Sequence, residues 1–183
     1  MRLFSLLLLA SSAVAAATAP DRTVRVSDDV EYVIPAGSPV TYRRTGEFYT
    51  VYYNGELRLT GNYSYGYVTD DPQDDGTYGD LELSFTIVEQ DARQLPYWSR
   101  DHPPREIYIR NPDRFAQQVI GRTDIARLRA KEIKRVSGTA TIHARNLQTT
   151  IDCDQQSTSV EFVFWQNVKN RRVASMLADQ PGC

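Results

Sequence analysis

Residues 71–82, Asp-Pro-Gln-Asp-Asp-Gly-Thr-Tyr-Gly-Asp-Leu-Glu, hold the one spacing in this 183-residue chain that suits a metal ion. Laid on a twelve-residue calcium loop, Asp71, Asp75, Gly76 and Glu82 take positions one, five, six and twelve. Gln73 occupies the third position and Pro72 the second, where that loop would differ. The flanks decide against it. Both alternate apolar and polar residues as strands do, whereas the calcium loop is gripped by helices. Glu82 would also point away from the face that Leu81 and Leu83 share. The reading is therefore a polar hairpin loop, with calcium at Asp71, Asp75 and Glu82 as the less favoured alternative.

Other reactive constellations are sparse. The chain has no G-x-S-x-G elbow, no S-x-x-K, no phosphate loop and no H-E-x-x-H. With His102 and His143 as its two histidines, it cannot build a three-histidine zinc site. His102, in a proline-rich stretch, is the better-placed candidate for a general base, and an exposed loop residue is the plainer reading of it. Glu47, Glu56, Glu89, Asp91, Glu106 and Glu161 lie on or beside expected strands and could supply a carboxylate pair for glycoside cleavage.

Aromatic residues are more suggestive. Eleven tyrosines and two tryptophans are present, and most of the tyrosines precede residue 100. Tyrosine offers a flat apolar ring with a polar tip, which suits sugar stacking or protein docking. Tyr49, Tyr53, Arg58, Tyr97 and Trp98 are the binding candidates. Cys153 and Cys183 form an even pair, and in an oxidising compartment a bridge between them is expected. It would close a loop of about 30 residues and contribute roughly 3 to 4 kcal/mol. Cys153 is a poor nucleophile, because two adjacent carboxylates disfavour its thiolate.

The elements that must position these residues are mostly strands. "EFYTVYY", Asn54-Gly55 and "ELRLTGNYSYGYV" predict a hairpin turning at the Asn-Gly pair. Its register would put Phe48, Thr50 and Tyr52 on the core side with Leu57 and Leu59, leaving Tyr49 and Tyr53 outside. Leu81, Leu83, Phe85 and Ile87 predict another strand. "NPDRFAQQVIG" predicts a helix capped by Asn111, started by Pro112 and ended by Gly121. "TDIARLRAKEIKRV" predicts a second, capped by Thr123, with Ile125 and Leu128 inward. "GTATIHA", "LQTTIDC" and "SVEFVFWQNV" return to strands, and the C-terminal residues allow a short helix. The fold class is mainly β (α+β), an antiparallel sheet or small Greek-key barrel with two or three short helices set to one side.

Residues 1–17 have a positive start, an apolar run and an A-x-A ending, so they read as a secretory signal ahead of one domain, 18–183. The apolar run is short of the roughly 20 residues a membrane span needs. Charge is uneven: residues 20–92 carry 14 acidic and 5 basic residues, and 93–145 carry 12 basic and 5 acidic. The halves either neutralise one another or present a basic face to an anionic envelope polymer. Net acidity and expected export argue against nucleic acid. Together these features favour a periplasmic or secreted, non-catalytic binding or accessory module for an envelope protein or glycan. A small secreted hydrolase and a calcium-stabilised module are the alternatives.

Overall fold

The computed structural model describes residues 20–68, 79–99 and 101–176. It is mostly β, and one hairpin dominates it. Strand β9 runs Ile133–Asp152 and β10 runs Gln155–Ser175, paired antiparallel along nearly their whole length. Against the other edge of β9 lie β4 (Val51–Asn54) and β5 (Glu56–Tyr67). β4 also pairs with β3 (Thr41–Thr45), and β5 with β6 (Leu81–Ile87). A second, smaller sheet joins β1 (Arg22–Arg25), β2 (Glu31–Ile34) and β7 (Tyr97–Trp98). The short β8 (Tyr108–Ile109) pairs parallel with β10, and Glu106 bridges to Thr86. Among the described residues the sheets stay open and no barrel closes.

Alternation along β5 sends Leu57, Leu59, Tyr63, Tyr65 and Tyr67 into the core and leaves Arg58 and Asn62 outside, as the sequence predicts. The Asn54–Gly55 step is different. It is not a hairpin turn: β4 and β5 follow one another along the same side of β9. Tyr52 faces Gln148 and Glu56 faces Arg145, so four steps on one strand match three on the other. Asn54–Gly55 thus falls in a bulge. Gly55 has φ +127, and a Cβ there would lie 2.4 Å from the Pro39 carbonyl oxygen. The glycine that signals a turn in sequence here lets two backbones touch. The extra residue reverses the expected register, so Val51 and Tyr53 are buried while Phe48 is 81% exposed.

Phe115 sits at the centre of the core, edge-on to Tyr63, Phe85 and Phe162 with ring centroids 5.7, 6.2 and 5.3 Å away. Such edge contacts add about 0.5 to 1.5 kcal/mol each beyond area burial. Phe115 ends α2 (Pro112–Phe115), which continues as a π-helical turn over Ala116–Ile120 before Gly121 and α3 (Arg122–Arg129). Asn111 does not cap. Its amide instead donates to the Phe162 carbonyl and accepts from the Phe162 N–H, both at 2.8 Å, standing in for a missing strand neighbour. Thr123 lies inside α3, whose first turn follows Gly121, while Ile125 and Leu128 point inward as expected. A short helix, α1 (Glu89–Ala92), follows β6. β10 also takes residues 171–175, where a short helix was allowed.

The two segments expected as separate strands before Cys153 are one strand, so the hairpin turn falls at Cys153 and Asp154, both with positive φ. Cys153 is exposed and free there, and Cys183 lies outside the described residues. The expected bridge between Cys153 and Cys183 therefore falls outside the described residues.

Gly55→Ala should destabilise the protein by about 2 to 4 kcal/mol, combining left-handed strain with the clash at Pro39. Urea unfolding compared with the wild type measures it, and an unchanged midpoint would contradict the bulge.

Candidate functional site

Beside the Asn54–Gly55 bulge, β9 has a bulge of its own. Ser159 faces Gln148 but Glu161 faces Arg145, so β9 holds one extra residue, and Asn146 adopts φ +53. The two irregularities bend the sheet where β3, β4 and β9 meet the segment after β8. They open a depression of about 230 Å³ bordered by Arg43, Arg44, Tyr52, Arg110, Asn146 and Gln148. Three of these six residues are arginines.

The three guanidinium groups have different surroundings. The Arg44 group lies 3.9 Å from the centre of the Tyr52 ring, within cation–π range. Arg110 donates from Nη1 to Ser159 Oγ at 2.8 Å and from Nη2 to the Asn146 carbonyl at 2.6 Å. Burial pushes its pKa below the usual arginine value, and the Glu161 carboxylate pulls the other way. Arg43 is exposed. Glu161 is already engaged, accepting from Arg145 Nη2 at 3.0 Å and Asn146 Nδ2 at 2.6 Å. Those bonds hold its carboxyl below the ordinary range. Among the described residues, neither Arg43 nor Arg44 forms an ion pair with a carboxylate. The depression gathers guanidinium donors with surplus positive charge, two of them held by neighbours, able to take a carboxylate or phosphate in two-pronged fashion.

The residues singled out from sequence scatter. Tyr53 borders the depression, yet it is 2% exposed and its hydroxyl shares a 3.1 Å hydrogen bond with Thr149 Oγ1. Tyr49 is 48% exposed beside Phe48, and its carbonyl accepts from the Tyr32 hydroxyl. Arg58 stands on the outer face of β5 and donates from Nε to Gln166 Oε1 at 3.0 Å. Tyr97 and Trp98 are on β7 in the small sheet, with Trp98 buried. The five do not converge, because the β4–β5 bulge and the separate small sheet divide them. Glu82 is exposed on β6; Asp71 and Asp75 lie outside the described residues, so the calcium loop does too. Among the described residues, no three His, Cys, Asp or Glu side chains gather as a metal site would require. His102 is exposed in its loop, and His143 stacks on Phe164 at 4.1 Å.

Sequence reasoning missed Arg43, Arg44 and Arg110. The Arg-Arg pair was visible, but Arg110 joins it only through β8 and β10, far along the chain. No helix among the described residues is long and apolar enough to cross a membrane. No protein-family model matches this chain, and comparison with curated proteins and with solved structures finds no match.

Two pH effects follow from these surroundings. Burial pushes the Tyr32 hydroxyl up to about 12 and raises that of Tyr53 as well. A raised folded value contributes stability that is complete below the ordinary tyrosine pKa near 10 and is lost as pH climbs through about 12. Absorbance at alkaline pH should show these two rings ionising only together with unfolding, whereas free titration near the ordinary value would contradict their burial. At the acid end the sign reverses. The depressed Glu161 supports the fold above the ordinary carboxylate value, and this support is lost as pH falls through its lowered one. Its protonation removes a carboxylate charge close to Arg110, so sulfate binding followed against pH should strengthen through that step. Glu161→Gln should abolish the step.

Proposed function

We propose that this protein is an exported, non-catalytic binding or accessory module that recognises an anionic group on an envelope protein or glycan. The observation that carries the reading is the depression in which Arg43, Arg44 and Arg110 meet around Tyr52, while the neighbouring carboxylate is taken by Arg145 and Asn146. Arginine on an aromatic ring, with a second guanidinium fixed by backbone and hydroxyl acceptors, is pre-organised for planar oxyanions. Export rests on the apolar leader in the sequence, and a partner in the envelope follows from export.

The hydrolase alternative has one observation of its own. Glu82 and Glu106 border a cleft of about 590 Å³ together with Tyr67 and Tyr108. Both carboxylates are exposed and Arg135 borders the same cleft, so neither has the apolar setting that a general acid working at neutral pH needs. The geometry supports binding better than cleavage.

Titration calorimetry with inorganic phosphate and with galacturonate tests this. Both should bind in a salt-sensitive manner. Arg43→Ala combined with Arg44→Ala should weaken binding about tenfold or more, at an unchanged melting temperature. Equal binding by the wild type and the double variant would sink the assignment.

A further inference from the structure

The outer face of the β5–β9–β10 sheet extends the depression into a track. The pairing register sets out its rows across the three strands. Glu56, Arg145 and Glu161 form one row, and Arg58, His143 and Phe164 the next. Further along come Thr60 with Thr141 and Asn167, Asn62 with Thr139 and Lys169, and Ser64 with Ser137 and Arg172. Three register shifts each add a residue to β10, between Phe162 and Phe164, Trp165 and Asn167, and Lys169 and Arg172. Without those insertions the two-residue period would turn some of these side chains to the other face. Phe164, Asn167, Lys169 and Arg172 therefore share the outer face through bulges placed between them.

The chemistry of the face changes along its length. At one end, beside the arginine depression, Arg145 stands between Glu56 and Glu161 and is ion-paired with Glu161, and Arg58 follows in the next row. The middle is hydroxyl and amide, with Thr60 bonded to Thr141 at 3.1 Å and Thr139 donating to Asn62 at 3.0 Å. A second depression, about 320 Å³ and bordered by Asn62, Thr139, Asn170 and Arg172, lies near the other end. Phe164 is 47% exposed and lies flat on His143, tilted by 13°, which presents a ring face to solvent. From Arg145 to Ser137 the strand covers about 26 Å.

We propose, building on the anion-binding reading above, that this face seats a linear acidic glycan. Its carboxylates would meet Arg44 and Arg110 at one end and Lys169 and Arg172 at the other. Its hydroxyls would exchange hydrogen bonds with Asn62 and Thr139, and one sugar ring would lie on Phe164. A sugar polymer fits better than an acidic peptide. The exposed edge of β10 is interrupted by bulges that oppose strand addition, and the face itself is lined with hydroxyls rather than apolar sockets.

Length dependence tests the track with the unmodified protein. Galacturonate monomer and oligogalacturonates of rising length are titrated, with neutral dextran and polyaspartate as comparison arms. Affinity should rise with oligomer length, and dextran and polyaspartate should bind more weakly than the long oligomer. Phe164→Ala and Arg172→Ala should each weaken the long oligomer about tenfold and leave the monomer unchanged, whereas Arg44→Ala should weaken both. Oligomers that bind no better than monomer, distal variants without effect, or polyaspartate equal to oligogalacturonate would overturn the track while leaving the depression standing. Monomer binding indifferent to Arg44→Ala would overturn the depression instead.

Discussion

A two-residue side-chain period carried over a 20-residue strand is the constraint on which the rest of this molecule depends. β9 pairs with β10 on one edge and with β4 and β5 on the other, so any slip in its phase turns a buried face outward. Buried Val136, Ala140, Ile142 and Ala144 keep one phase, and Leu147, Thr149 and Ile151 keep the opposite one. Asn146, with its left-handed backbone, sits where the phase changes. The matching change on the neighbouring strand is at Asn54–Gly55. Two insertions on adjacent strands let the long sheet stay apolar within while it bends.

The same bend positions the cations. Arg43 and Arg44 come from the acidic first half of the chain, and Arg110 and Arg145 from the basic stretch that follows. The linear charge blocks do not simply cancel. Some of the basic block is neutralised locally, as where Asp124 binds both Arg127 and Arg171. Around Tyr52 the arginines converge, and the nearby Glu161 carboxylate is held by Arg145. Positive charge is concentrated by topology, not by sequence proximity.

The tyrosines show how the same residue type divides by position. Tyr32, Tyr53 and Tyr63 are core residues, while Tyr42, Tyr49 and Tyr108 remain exposed. A tyrosine-rich segment therefore does not by itself define a sticky surface, since a ring that fits a pleated half-buried face serves the core equally well. The exposed ring with a defined platform is Phe164, held by a histidine directly across the strand pair.

Composition and period were enough to make the chain β-rich, to turn Leu57, Leu59, Tyr63, Phe85 and Ile87 inward, and to start a helix at Pro112 and end it at Gly121. Those features are local: each depends on a side-chain period or on one residue's backbone freedom. Whether Asn54–Gly55 made a turn or a bulge was not local, because both accept the same glycine and the choice lies with Pro39 and β9. For the same reason Asn111, a capping residue by type, was drawn to the Phe162 backbone, where a strand lacked a neighbour. The arginine depression required Arg43, Arg44 and Arg110 to meet across some 65 residues of chain, and only the pairing of β4 and β10 with β9 brought them together.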